Sequence, residues 1–354
     1  MAETRHQPKL TEVREAHRLD LDRLGEYLAT HLTQFAGLLS ARQFKDGQSN
    51  PTYLLKSGER NFVLRKKPPG KLLRGAHLVE REFRVISALS VQGFPVPGAL
   101  HLCEDESVIG KPFYVMAHVA GGVCQDAALP GMTPAERGTI YSSMAEVLAQ
   151  LHAIDWNAAG LADYGKHGDY IRRQIALWSR QYEAAKTEEI ANMDRLMAWL
   201  PENIPPGDET SLVHGDYRLG NIILAPDEPK IAAVLDWELS TLGHPLTDLA
   251  YNCLPYHLPA EVKNPPGLSG VDLAALGIPE ENEHIAAYCR AAGRAEGIPH
   301  WPFYIAFAMF RLASISQGVY ARALQGNASA PNAMEFGERT KQLARQSLDV
   351  SKRG

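Results

Sequence analysis

The stretch Leu212–Ala250, LVHGDYRLGNIILAPDEPKIAAVLDWELSTLGHPLTDLA, constrains this chain more than any other. A short apolar run leads into a polar loop, a second apolar run follows, and after a turn a third ends in an acid. The pattern predicts three short strands. Their first connecting loop carries His214-Gly215-Asp216 and Asn221, and the third strand runs into Asp236. Two carboxylates and an amide so placed form a compact set of hard oxygen donors. Mg²⁺ held on phosphates takes one or two carboxylates rather than a full protein cage.

The spacing His-x-Asp-x-x-x-x-Asn, followed by a strand-end Asp, is the catalytic layout of phosphoryl transfer. In that layout Asp216 orients a substrate hydroxyl and accepts its proton late in the transfer. Asn221 and Asp236 hold Mg²⁺. Gly215 keeps the backbone clear beside the reacting centre, and His214 is a scaffold residue. Glu238 shares the side of Asp236 in an extended chain, as a metal or water contact or as a cap for the turn. Asp248 reads as an N-cap or a brace for the loop. A metallohydrolase built on His214, Asp216, Asp236 and His244 would be short of histidines and would leave Asn221 without a task. A pseudokinase that only binds nucleotide would be expected to lose Asp216 or Asp236, and both are present.

At 354 residues the chain exceeds the usual size of one core. The expectation is an α+β protein of two lobes: residues 20–120, a small antiparallel sheet with one inserted helix, and residues 121–351, mostly helical. The net charge of -5 argues against a nucleic acid or an anionic membrane as partner. Cys103, Cys124, Cys253 and Cys289 are scattered, so they predict buried reduced thiols rather than a zinc site or a disulfide framework. The charged start MAETRHQPKL has no apolar core, and the run Trp301–Phe310 is too short to span a bilayer. A cytoplasmic location is expected.

The first dozen residues are polar and expected to fray. From Asp20 onward Leu24, Leu28, Leu32 and Phe35 repeat at helical spacing. The period then changes, and Ala41–Phe44, Thr52–Leu55 and Phe62–Lys66 predict three strands. The turn between the first two, with Gly47, Ser49 and Asn50, can present backbone N–H groups to phosphate oxygens; a plain hairpin turn is the alternative. The third strand ends near Arg65, whose guanidinium fork matches phosphate bidentately; a solvated basic strand end is the alternative. In the helix within Lys71–Leu89, Val79, Phe83, Ile86 and Leu89 line one face. Glu82 is placed to hold the basic strand end by an ion pair, and Glu80 reads as a surface charge. After Gly93-Phe94-Pro95-Val96-Pro97, strands at Leu100–Cys103 and Phe113–Met116 flank a turn from Glu104 to Gly110. Met116, His118 and the residues to Gly122 form a linker whose exposed backbone offers adenine a hydrogen-bonding edge.

Helices dominate the rest. Thr133-Pro134-Ala135-Glu136 carries a capping box and opens a helix to about His152, itself read as a capping or packing residue. Tyr170–Leu200 supplies one or two helices, with Trp178 and Trp199 expected in the core. Pro255–Gly277 is Pro- and Gly-rich and irregular. Helices follow at Pro279–Ala295, at Pro302–Leu324 with Phe303, Phe307, Phe310 and Ile315 buried, and at Ala333–Leu348.

Leu212-Val213-His214-Gly215-Asp216, Asn221 and Val234-Leu235-Asp236-Trp237-Glu238 resemble the aminoglycoside phosphotransferase / choline kinase-like superfamily. His-Gly-Asp stands where protein kinases have His-Arg-Asp, and Asp-Trp-Glu where they have Asp-Phe-Gly. Phe62–Gly70, Gly93–Pro97 and Leu235–Pro245 are similar to the kinase-like portion of acyl-CoA dehydrogenase fusion proteins. The resemblance runs from about Leu24 to Ala323. It implies a two-lobed protein-kinase-like fold, ATP and Mg²⁺ as cofactors, and a small-molecule hydroxyl acceptor. It further implies Asp216 as catalytic base, Asn221 and Asp236 as Mg²⁺ ligands, and Arg65 paired with Glu82 at the phosphate-contacting strand. Arg65 and the residues Gly47 to Asn50 look more like the choline-kinase side than the aminoglycoside-kinase side. The acyl-CoA dehydrogenase association suggests a hydroxyacyl-CoA as acceptor, with an aminoglycoside or amino alcohol as the alternative. The loop Pro255–Gly277 and the helix around Tyr304–Arg311 are expected to shape its pocket, and they carry no acidic run suited to a cationic acceptor.

Overall fold

The computed structural model describes residues 8–35, 39–45, 50–69, 78–261, 266–294, 297–327 and 332–353. The N-terminal lobe runs β1 (Leu10–Thr11), α1 (Leu21–His31), β2 (Leu39–Phe44), β3 (Thr52–Ser57), β4 (Arg60–Lys66), α2 (Val79–Val91), β5 (Ala99–Cys103), α3 (Glu106–Ile109) and β6 (Phe113–Ala117). Its six strands form one antiparallel sheet in the order β1-β2-β3-β4-β6-β5.

Strand alternation sorts the side chains of this sheet onto two faces. Tyr53, Leu55, Phe62, Leu64, Phe113 and Val115 share a cluster with Leu24 and Leu28 of α1. Val63, Tyr114 and Met116 belong instead to the cluster containing α2 and the C-terminal lobe. The two-residue period puts Arg65 on the side of Val63, so the strand carries this cation toward α2 and away from α1. Of the dozen residues expected to fray, 1–7 lie outside the described residues, and the rest do not fray throughout. Leu10 and Thr11 pair with Phe44 and Gln43, which covers the edge of β2. The turn from Glu104 holds a one-turn helix, because the Asp105 side chain accepts the Ser107 N–H at 2.8 Å.

The C-terminal lobe contains β7 (Gly122–Val123), α4 (Pro134–His152), α5 (Tyr170–Ala185), α6 (Ala191–Glu202), β8 (Ser211–Val213), β9 (Ile222–Leu224) and β10 (Ile231–Val234). It continues with β11 (Thr241–Gly243), α7 (Pro245–His257), α8 (Leu273–Leu276), α9 (Glu281–Ala291), α10 (Trp301–Leu324) and α11 (Phe336–Ser351). The three strands read from the central stretch are β8, β9 and β10. β9 pairs with β10 and β7, while β8 pairs with β11. α4 opens on the expected capping box, in which Thr133 N donates to Glu136 Oε2 at 2.6 Å and Glu136 N donates to Thr133 Oγ1 at 3.3 Å.

α10 is apolar on almost every side and is wrapped by α5, α7 and α11. Phe303, Phe307 and Phe310 are buried there, and Ile315 only partly. Trp178 and Trp199 pack on the rim of the core, half-buried rather than enclosed, since their helices turn other residues inward. Pro255–Gly277 is less irregular than its composition suggests. α7 extends to His257, Pro259 bridges Ser269, and α8 occupies its end. All four cysteines are buried and free. Among the described residues, no helix is long and apolar enough to cross a membrane.

Candidate active site

The loop after β8 is held by its first two N–H groups. His214 N donates to Asp248 Oδ2 at 2.6 Å, and Gly215 N donates to Asp248 Oδ1 at 2.8 Å. Asp248 is a brace, then, while the N-cap of α7 is His244, whose Nδ1 accepts the Leu246 N–H at 3.3 Å. Burial alone would raise the Asp248 pKa. His152 and the His214 N–H more than offset that, and the carboxylate is held below its ordinary range. His152 is not a simple helix-end residue. Its Nε2 lies 3.5 Å from Asp248 Oδ2, and its Nδ1 lies 2.8 Å from the Tyr288 hydroxyl.

The fully buried His214 ring accepts the Asp216 N–H on Nδ1 at 3.1 Å and donates from Nε2 to Leu235 O at 2.8 Å. It therefore ties the His214–Asn221 loop to the strand leading into Asp236. Gly215 has φ +83°, and a Cβ there would lie 2.7 Å from Leu239 O. Both facts demand glycine.

Asn221 Nδ2 donates to the Asp216 carbonyl at 2.9 Å and to its Oδ2 at 2.7 Å. Among the described residues this leaves Asn221 Oδ1 as the amide's open oxygen. Asp236 sits in the left-handed region, with φ 65° and ψ 63°. A non-glycine residue there costs roughly 1–2 kcal/mol, and it ends the strand by turning the chain into Trp237–Leu239. Glu82, Asp236 and Glu238 each offer a carboxylate oxygen, all within 4.8 Å of one another.

Arg65 stands among these acids. Its Nε lies 3.0 Å from Glu82 Oε2, and one terminal nitrogen lies 2.6 Å from Asp236 Oδ1 and 3.5 Å from Glu238 Oε2. Burial would lower its basicity, but Glu82 and Asp236 outweigh that and hold it firmly cationic. Glu82 is 1% exposed and also accepts from Asn50 Nδ2 at 3.1 Å and the Tyr114 hydroxyl at 2.9 Å. Burial, with Asp236 and Glu238 adding to it, pushes Glu82 up to about 7 against the pull of Arg65. Glu80 is not a lone surface charge, since it pairs with Lys67 Nζ at 2.8 Å. Arg81 fixes α2 to the other lobe, donating to the carbonyls of Tyr164 and Ser240 and stacking on the Tyr164 ring at 3.8 Å.

Asn50, Arg65, Glu82 and Asp236 thus meet in one network, beside the Asp216–Asn221 pair. Met116 is 7% exposed and lies inside the sheet, paired with Val63 on one side and Ala99 on the other. His118 is half-buried, which lowers its pKa. Gly47 and Ser49 lie outside the described residues. Three neighbours of the loop escaped the sequence reading. Arg218 Nε lies 3.3 Å from Asp216 Oδ2. Arg311 donates to Gly215 O at 2.5 Å, and its guanidinium lies over Tyr251 at 4.8 Å. A lone charge inside the apolar run of α10 was the available signal for Arg311; Tyr251 had none. The Tyr304 end of that helix packs on His244 at 5.5 Å.

The profile of the Phosphotransferase enzyme family matches residues 40–297. Acyl-CoA dehydrogenase family member 11 of Gallus gallus is 48% identical over 354 residues, covering 98% of this chain and 45% of that protein. The chain spans less than half the length of the curated relatives it matches. A crystal structure of a protein described as a candidate aminoglycoside phosphotransferase, from Ralstonia eutropha JMP134, is 46% identical with a TM-score of 0.86, covering 95% of this chain and 99% of that one. An aminoglycoside phosphotransferase solved with AMP-PNP and hygromycin B shares the fold at 17% identity and a TM-score of 0.59, covering 92% and 98%. The chain belongs to the phosphotransferase enzyme family and has its two-lobed, kinase-like fold.

Proposed function

We propose that the chain is an ATP- and Mg²⁺-dependent kinase acting on the hydroxyl of a small molecule. The observation that carries this reading is the Asp216–Asn221 contact at 2.7 Å beside the Arg65–Asp236 pair at 2.6 Å, the two linked where Leu235 N donates to Asn221 O. In the reaction the acceptor oxygen forms a bond to the γ-phosphorus, the bond from that phosphorus to the leaving oxygen of ADP breaks, and the hydroxyl proton passes to Asp216. Asp216 orients the hydroxyl before it takes the proton. Asn221 keeps that carboxylate aimed, and Arg65, fixed by Glu82, offers a cation to the phosphates. The open Asn221 amide oxygen and the Asp236 carboxylate suit Mg²⁺, with Glu238 at hand as a further oxygen. A Mg²⁺ ion held by these residues would supply positive charge against the negative charge that develops on the transferring phosphoryl group.

Residues 20–120 would supply most of the nucleotide site, with Gly47, Ser49, Asn50, Met116 and His118 around the nucleotide. Residues 121–351 would supply the catalytic loop and the acceptor pocket. A hydroxyacyl-CoA is the acceptor we favour, because the curated relatives carry the acyl-CoA dehydrogenase name. An aminoglycoside or amino alcohol is the second reading, favoured by the description of the Ralstonia protein. A coupled ADP assay over hydroxyacyl-CoAs, aminoglycosides and amino alcohols tests both. The Asp216→Ala variant should lose at least ~10³-fold in turnover yet keep its Mg·ATP thermal shift. Normal turnover would remove Asp216 from its role, and no shift at millimolar Mg·ATP would sink the kinase reading.

A further inference from the structure

Arg311 is 9% exposed in the middle of apolar α10. Its guanidinium donates to Gly215 O and lies over the rings of Tyr251 at 4.8 Å and Trp178 at 5.3 Å. Among the described residues no carboxylate comes within ion-pair distance of it, and its buried Nε has no hydrogen-bond partner. Burying a cation is costly unless its charge is offset, and a ring face returns only part of that cost. One carbonyl and two rings leave it short of a counter-charge.

Two further guanidinium groups share this neighbourhood. Arg218 reaches Asp216 at 3.3 Å and donates to Gln125 Oε1 at 2.9 Å. Arg339 of α11 stacks on Phe336 at 5.6 Å and is near enough for its charge to act on Tyr251. Tyr251 in turn feels the charges of Asp216, Arg311 and Arg218. Arg311 thus lies over the Tyr251 ring, and the charges of Arg218 and Arg339 also reach that phenol, beside the carboxylate that takes the acceptor's proton.

We infer that the acceptor carries a negative charge of its own, as a carboxylate or a phosphate ester, read by Arg311, Arg218 and Arg339 around Tyr251. This rests on the phosphotransfer reading. A cationic amino alcohol or aminoglycoside would meet repulsion there, and the bidentate forks favour planar carboxylate or phosphate oxygens.

The test is calorimetric titration of the full chain saturated with Mg·AMP-PNP. The probes are hydroxybutyrate, its CoA thioester, the neutral hydroxybutyramide, and choline. An anionic probe should bind about tenfold or more tightly than the amide, with choline weakest. Arg339→Gln should reduce that preference about tenfold without altering AMP-PNP affinity, and Arg311→Lys should reduce it while retaining the buried charge. Preference for the free acid assigns the charge to its carboxylate; preference for the thioester alone assigns it to the CoA phosphates. Equal binding of the amide, no anionic binding at ~10 mM, or an unchanged preference in Arg339→Gln would overturn the inference. Failure of AMP-PNP itself to bind would instead bring down the phosphotransfer reading, and this inference with it.

Discussion

The Asp248 carboxylate takes the His214 backbone N–H at 2.6 Å, and its second oxygen takes the next N–H along the chain. An asparagine in its place has one acceptor oxygen and would turn an N–H₂ group toward a buried donor. Asp248→Asn should therefore cost ~2–4 kcal/mol, the penalty for an unpaired buried donor plus the lost His152 contact. Calorimetry should show a clear fall in Tm, and kcat should drop at least about tenfold with Mg·ATP affinity little changed. An unaltered Tm would show that the brace carries no load.

Arg65 serves Glu82 and Asp236 with different nitrogens of one fork. Lysine has a single charged nitrogen and cannot span both. Arg65→Lys should weaken Mg·ATP binding by about tenfold. Arg65→Ala should in addition destabilise the fold by ~3–5 kcal/mol, because Glu82 remains buried without its cation. Urea unfolding and nucleotide titration on both variants separate the two effects; equal stability of Arg65→Ala and wild type would count against the buried pair.

Gly215→Ala forces a side chain into φ +83° and toward Leu239 O at 2.7 Å. The conformational part alone costs ~1–2 kcal/mol. Relief of the contact moves the neighbouring Asp216, so kcat should fall more steeply than stability. A variant with wild-type kcat would show that the loop tolerates the shift.

His284 of α9 is 1% exposed, its ring against Tyr141 of α4 and beside a concavity of ≈ 380 Å³, with Nε2 2.8 Å from Asn252 Oδ1. Burial pushes its pKa down to about 4 from 6.5, with Glu281 opposing. The unfolded chain takes up this proton near its ordinary pKa while the folded chain does not. Stability is therefore lost as pH falls through 6.5 and the loss is complete near 4, amounting to about 3 kcal/mol. In His284→Gln the stability–pH curve should be flatter by about one proton across that window, as read by urea titrations at stepped pH. An unchanged slope would exclude His284 as its source.

Much of the stretch Leu212–Ala250 was legible because its signals are local. Strand periodicity, the loop acids and the strand-end Asp236 all lie within Leu212–Ala250, and the parity of Val63 and Arg65 follows from the two-residue repeat. What was missed depends on distant packing. The His152–Asp248 contact spans 96 positions, as does Arg311 to Gly215 O. No periodicity encodes such pairs. The β1–β2 pairing was hidden by polar composition, since two backbone-paired residues at a sheet edge need little apolar area.

Trp237 is 1% exposed, its Nε1 donates to Val234 O at 3.1 Å, and its ring packs on His214 at 4.6 Å and Phe94 at 5.8 Å. Turning it outward would expose ~200 Å² of largely apolar surface, about 5 kcal/mol before the lost hydrogen bond. That holds an inverted Asp-Trp-Glu turn to roughly one molecule in several thousand. On–off control by flipping this turn is thereby closed to the chain.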